Sequence, residues 1–188
     1  MPFVALLDAN VLYPAWLRDA LLRVAETEVF QVRWSERILD EASRNIKADR
    51  PDLEPAAIDR TFEDMRRSFD DAMVADYESL EPAMGNAAED RHVLAAAMVG
   101  RADVIVTENL HHFPKSALEP YGLDVQHPDM FLCNQWELDE ESMVEAIRLW
   151  LEDLSSPPLS LEQLLQKLEL HTPQFCQMVR QSALGQQG

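Results

Sequence analysis

The stretch Phe3-Val-Ala-Leu-Leu-Asp-Ala-Asn10 decides how this chain is read. Phe3 to Leu7 is a short continuous apolar run, the pattern of a central parallel strand buried on both faces. Asp8 then stands at the carboxyl end of that strand. The opening Met1-Pro-Phe3 carries no basic segment, and no small-residue cleavage site follows, so it reads as strand rather than secretion signal and places the protein in the cytoplasm.

Outward from this strand, Pro14 opens a helical stretch with Leu17, Leu21, Val24 and Ala25 on one face, and Val29 to Val32 reads as the next strand. That is a β-α-β start. Ser35 is an N-cap for a helix that turns Ile38, Leu39, Ala42 and Ile46 inward and carries Glu41, with Trp34 placed to staple against Leu39. From Pro55 to Met73, the residues Ile58, Phe62, Met65, Phe69 and Met73 recur every three or four positions, which predicts one long amphipathic helix. A polar bend around Met84-Gly-Asn86 leads to a helix from Asp90 to Gly100, with Asp90 at its N-terminus. Val104-Ile-Val106 is a second β-branched run, followed at once by the polar cluster Thr107-Glu-Asn-Leu-His-His-Phe-Pro114. Beyond about residue 135 the chain becomes acidic and helical: Asp139 to Leu154 is amphipathic, Ser155-Ser-Pro-Pro158 breaks it, Ser160 with Gln163 forms a capping box, and Thr172-Pro173 starts a further helix. The expected division is a main domain over 1–134 and a small all-helical appendage over 135–188.

Composition sets limits on function. The chain has 188 residues and is 47% hydrophobic, enough for one sizeable core and incompatible with disorder, and no apolar run reaches the length of a membrane span. Cys133 and Cys176 have neither the number nor the spacing for a disulfide framework or zinc site, and are expected as free thiols. The net charge of −18 has the wrong sign for a protein that holds nucleic acid by neutralising phosphates. Residues 1–67, however, carry ten Lys and Arg against 13 acids, so any basic surface comes from the first third.

Alternating strands and helices imply an α/β fold with a mostly parallel sheet, and such sheets bind ligands beyond the carboxyl ends of their strands. Asp8 and Asn109 both fall there. If the helices bearing Glu41 and Asp90 pack alongside, three carboxylates meet where their mutual repulsion calls for a cation, and oxygen-only ligands favour Mg2+ or Mn2+. Such a centre suits phosphodiester hydrolysis. Taken singly, each acid also has an ordinary explanation as a turn residue, a solvated helix residue or a helix-dipole partner.

Five blocks stand in the order of a PIN domain: Leu6-Leu-Asp-Ala-Asn-Val-Leu-Tyr-Pro14, Leu17-Arg-Asp19, Trp34-Ser-Glu-Arg-Ile-Leu-Asp-Glu41, Asp90-Arg-His-Val-Leu-Ala-Ala-Ala97 and Val104-Ile-Val-Thr-Glu-Asn-Leu-His-His-Phe-Pro114. The chain therefore resembles the PIN-domain ribonucleases over about residues 3 to 130, and among them the VapC-type toxins, some of which carry a helical C-terminal extension. The resemblance implies a three-layer PIN-like fold, a Mg2+- or Mn2+-dependent endoribonuclease acting on RNA, a cognate antitoxin as partner, a toxin homodimer and no membrane association. It matches Asp8, Glu41 and Asp90 to the family's acidic triad, with Asn109 at the place of a more variable fourth acid. An amide there adds no negative charge, and Glu108 is the nearest substitute.

Other candidates rest on chemistry alone. Asn10 suits orientation of a water or phosphate, and equally a plain turn. Arg18 and Arg91 have the fork that grips phosphate, against salt bridges to Asp19 or Glu89, and Arg37 and Arg44 stand beside Glu41. His92 reads as a satisfied interior histidine. Two other functions compete: a PIN-fold binding module without turnover, and a haloacid-dehalogenase-like phosphatase, whose chemistry wants an aspartate where this chain has Asn10.

Overall fold

In the computed structural model, which describes residues 3–154, 156–182 and 184, the first apolar run forms β1 (Val4–Leu7), every residue of it buried. Met1, Pro2 and Ser155, and the end of the expected appendage at 183 and 185–188, lie outside the described residues. Asp8 ends β1 and caps a one-turn helix, α1 (Ala9–Leu12), before α2 (Ala15–Glu26). There follow β2 (Gln31–Ser35), α3 (Glu36–Asp49), α4 (Pro55–Ser68), β3 (Met73–Val74), α5 (Arg91–Val99), β4 (Val104–Val106), α6 (Lys115–Leu118) and β5 (Asp124–Gln126). The C-terminal region contributes α7 (Pro128–Leu138), α8 (Glu140–Asp153), α9 (Leu161–Leu168) and α10 (Pro173–Gln181).

The five strands pair in parallel in the order β3-β2-β1-β4-β5. The expected α/β architecture is present: β1 lies at the centre, and the carboxyl ends of β1 and β4 are adjacent, with Leu7 opposite Val106. Asp8 and Thr107 therefore leave the sheet side by side. Ser35 caps α3 as expected, its hydroxyl accepting from the Ile38 amide at 3.3 Å. Trp34 belongs to β2 and is fully buried, edge-on to Phe69 with ring centroids 5.7 Å apart.

Two expectations change. The helix from Pro55 stops at Ser68 instead of reaching Met73: Phe69 leaves helical geometry, a 3-10 turn covers Asp70–Ala72, and Met73–Val74 adds to the sheet beside Trp34 and Ser35. Phe69 and Met73 still pack inward, which is why helical spacing carried past the true end. The strand expected at 29–32 lies at 31–35, set by pairing with β1. At the end of α5, Gly100 serves a close approach rather than a left-handed turn: its φ is −71°, and a Cβ there would stand 2.8 Å from Val74 Cγ2.

The C-terminal helices share the apolar core of the sheet domain. Trp150 of α8 packs on Trp16 of α2 at 6.0 Å, Lys167 of α9 lies over the same Trp16 ring, and Arg23 pairs with Asp153 at 2.8 Å. The Asp129 carboxylate on α7 accepts the backbone amides of Gln174 and Phe175 at 3.1 and 2.8 Å and so fixes the start of α10. The capping box of Ser160 and Gln163 is present. Both cysteines are free, Cys176 buried and Cys133 half-buried. Among the described residues, no helix is long and apolar enough to cross a membrane.

Candidate active site

A parallel strand that ends in Asp8 has to turn at once, and the carboxylate makes that turn. Its Oδ1 accepts the Ala9 amide at 2.7 Å, while Oδ2 accepts from the Asn10 amide at 2.7 Å and the Thr107 hydroxyl at 2.8 Å. Asn10 also donates to Thr107 Oγ1 at 2.8 Å and accepts the Glu108 amide at 2.9 Å, and the Asn109 amide donates to Thr107 Oγ1 at 3.1 Å. The ends of β1 and β4 are thus stitched together around one carboxylate.

Above this network opens a cleft of about 570 Å³, lined by Asp8, Asn10, Glu41, Asp90 and Asn109, so residues from four separate segments come together. Glu41 enters from the second turn of α3, and Asp90 from the N-cap of α5, where its side chain makes no capping bond and pairs instead with His112 Nδ1 at 2.5 Å. Burial pushes the Asp8 carboxyl from 3.8 up to about 6, with Asp90 and Glu41 adding repulsion. Glu41 is raised by desolvation and then by Asp90, with Arg44 and Arg37 working against the rise. His92 is fully buried, its Nε2 3.7 Å from Glu41 Oε2, and desolvation followed by the Arg37 charge lowers its pKa to about 4. It is interior as expected but not satisfied, because its Nδ1 is buried without a hydrogen-bond partner.

The arginines are placed differently. Arg18 does not line the carboxylate cleft: it is turned into a neighbouring cavity of about 330 Å³, donates to the Leu12 carbonyl at 2.9 Å and lies over Phe62, and its Nε is 4.0 Å from Asp19. Arg91 opens α5 beside Asp90, outside the cleft lining and with a buried Nε that lacks a partner; among the described residues it makes no ion pair with Glu89. A second groove of about 590 Å³ shares Glu41 with the cleft and runs past Arg37 and Arg44. Arg37 is paired with Glu81 at 3.2 Å, whereas Arg44 is exposed and unpaired among the described residues.

Several cleft residues escaped the sequence reading. Asn45 and Asp49 line it from α3. Their spacing of four and eight from Glu41 is one helix face, a signal that was available. Tyr13 donates to Asp49 at 3.1 Å. Leu170 and His171 reach the cleft from the turn between α9 and α10, and His171 Nδ1 lies 2.6 Å from Glu108 Oε1; a contact across 63 residues leaves no local pattern.

The donors facing the cleft from Asp8, Glu41 and Asp90 are carboxylate oxygens, the chemistry of Mg2+ or Mn2+ rather than zinc, and the upward shifts of Asp8 and Glu41 are a strain that a cation relieves. Among the described residues, no three His, Cys, Asp or Glu side chains stand close enough to hold an ion unaided. Magnesium, which keeps several waters and takes one or two carboxylates, asks for no such cage.

Comparison with known proteins agrees with this arrangement. A family model described as "PIN domain" matches residues 4–111, and one described as "VapC50 C-terminal domain" matches residues 128–181. A relative from Mycobacterium tuberculosis (strain ATCC 25618 / H37Rv), named "Putative ribonuclease VapC50", is 45% identical over 104 residues, which cover 55% of this chain and 62% of that relative. No solved structure matches the chain. With more than half its length matched by the PIN-domain model and its acids gathered where the parallel sheet ends, the chain belongs to the PIN-domain family, and its C-terminal region is similar to the VapC50 C-terminal domain.

Proposed function

We propose that the protein is a divalent-cation-dependent endoribonuclease and the toxin of a type II toxin–antitoxin pair. The observation that carries this is Asp8: a carboxylate buried at the carboxyl edge of the sheet, held by three hydrogen bonds and pushed up to about 6 in a cleft it shares with Glu41 and Asp90. A group so disfavoured as an anion costs the fold stability unless a cation joins it. Asp8, Glu41 and Asp90 would hold Mg2+ or Mn2+, which supplies an activated water and screens the charge that develops on phosphate. Thr107 and Asn10 fix the Asp8 carboxylate, Asn109 presents an uncharged amide to the cleft, and His112 orients Asp90. The RNA strand passes from the cleft over Glu41 into the groove bearing Arg44 and Arg37. Arg91 is a phosphate contact only at the margin of this path, and Arg18, turned onto Phe62 and the Leu12 carbonyl, is structural in this reading.

In this reading the nuclease residues belong to 1–134 and the helical extension to 135–188, with α7 running unbroken through that boundary. The net charge of −18 suits a basic antitoxin, and a cytoplasmic homodimer is the proposed resting form. A PIN-fold binding module without turnover is the second reading, favoured by the absence, among the described residues, of three acids close enough to hold an ion unaided.

One experiment separates the two. The purified protein is incubated with a panel of single-stranded RNAs in Mg2+, Mn2+ or EDTA, alongside Asp8→Asn and Glu41→Gln. Metal-dependent cleavage that falls by about 100-fold or more in both variants is expected for a nuclease. RNA binding without cleavage in any metal would establish the binding module instead.

A further inference from the structure

The cleft has a wall that the nuclease chemistry does not explain. Leu170 and His171 sit between α9 and α10, in the C-terminal extension, yet they line the same cavity as Asp8 and Glu41. Leu170 is 85% exposed, the most exposed large hydrophobic residue among those described. An apolar side chain held in water contributes nothing to folding, and here the backbone holds it firmly. His171 donates its amide to the Leu168 carbonyl at 2.9 Å, the Thr172 hydroxyl donates to the same carbonyl at 3.1 Å, and Asp129 fixes the first amides of α10. Arg180 pairs with both Glu162 and Glu169, closing α9 against α10. The His171 ring is fixed through Nδ1 to Glu108, which leaves Nε2 without a protein partner among the described residues.

A rigid turn that offers an apolar side chain and a ring nitrogen beside a phosphodiester-cleaving centre matches the chemistry of an unstacked nucleotide. Bases splayed from a single strand pack their faces on apolar or aromatic side chains, and their edges and riboses seek hydrogen bonds. We propose that the turn between α9 and α10 is part of the substrate site: Leu170 packs against an unstacked base and His171 hydrogen-bonds the same nucleotide. The C-terminal extension thereby selects which single-stranded RNA sequences reach the carboxylates. This rests on the nuclease reading and adds to it a specificity element drawn from outside the PIN domain.

The test uses the full chain with Leu170→Ser, His171→Asn and Leu170→Phe. Cleavage sites are mapped on a pool of short randomised single-stranded RNAs, with KM and kcat measured on the best-cut sequence. Affinity for the same pool is measured separately in EDTA, where cleavage is suppressed. Leu170→Ser and His171→Asn are expected to raise KM by about 5- to 100-fold, the range of one base-stacking contact, with kcat within about threefold and a shifted cut-site preference. Leu170→Phe keeps the apolar surface and should retain affinity while changing the preferred base. Melting temperatures near wild type are expected for all three, because both side chains reach solvent. An unchanged cut-site distribution with unchanged KM overturns the proposal, as does a fall in kcat alone, which would place His171 behind Glu108 as a structural brace. If the wild-type protein cuts nothing, the nuclease reading falls, and the affinity arm still decides this one: equal affinity of wild type and variants overturns it.

Discussion

Replacing Asp8 with Asn should reshape the pH dependence of stability in a way that depends on a second buried group. Asp8 is 4% exposed and raised from 3.8 to about 6, so between those pH values the folded state holds a proton that the unfolded chain releases. Stability from this source is complete below pH 3.8 and is lost as pH rises through 6. At about 1.4 kcal/mol per pH unit, the loss is about 3 kcal/mol. His92, 1% exposed and lowered from 6.5 to about 4, has the opposite sign. Its folded form resists a proton that the unfolded chain takes up, so stability is lost as pH falls from 6.5 to 4, again by about 3 kcal/mol. The two slopes oppose one another over nearly the same window, so the metal-free wild-type profile should be comparatively flat. Asp8→Asn removes one slope and leaves the other. On acidification from pH 7 to 4 the variant should lose about 3 kcal/mol more than wild type, and His92→Gln about 3 kcal/mol less. Urea unfolding in EDTA at each pH measures this, and comparing differences across pH removes any constant penalty from disturbed hydrogen bonds. Parallel profiles for wild type and Asp8→Asn would refute the assignment of a raised Asp8.

Three further outcomes are expected. In a catalytically dead background, Arg44→Ala should weaken RNA binding across sequences and lower the salt dependence by about one unit of slope, whereas Arg18→Ala, removing a buried side chain that holds the Leu12 carbonyl, should lower the melting temperature and leave the slope alone. Gly100→Ala should cost about 1–3 kcal/mol by thermal unfolding, because its Cβ would meet Val74 Cγ2 at 2.8 Å and the Ala96 carbonyl at 3.1 Å. Asp129→Ala leaves two amides of α10 unsatisfied and should speed hydrogen exchange across α10 more than across β1 or β4.

The sheet centre was legible because burial on both faces writes itself as an unbroken apolar run, as in Val4–Leu7 and Val104–Val106. Caps were legible for the same local reason: Ser35 and Ser160 bond three residues ahead. The edge strands were not. β3 has two residues and lies inside an apparently helical stripe, and β5, Asp124–Gln126, carries no apolar run because its flanks reach solvent. In the site, Asp8, Glu41, Asp90 and Asn109 could be named from their blocks, but Arg18 could not be placed. Position two residues ahead of Ala20 says that it lies on α2, and only packing against Phe62 says that it points away from the carboxylates. The pairing of Asp90 with His112 was equally hidden, since a contact across 22 residues leaves no local pattern that says which way a histidine ring turns.

Because Trp150, Leu164, Leu165 and Val179 complete the same core that β1 begins, that core is finished only once those residues have been synthesised. Residues near the N-terminus emerge first from the ribosome, at about 5–20 residues per second. The carboxylate cleft of Asp8, Glu41 and Asp90 has thus been translated long before the turn at Leu170 and His171 that walls it. A nascent chain built this way stays unfinished during most of its own production, and its cell meets the completed cleft only after α10 has docked on α7.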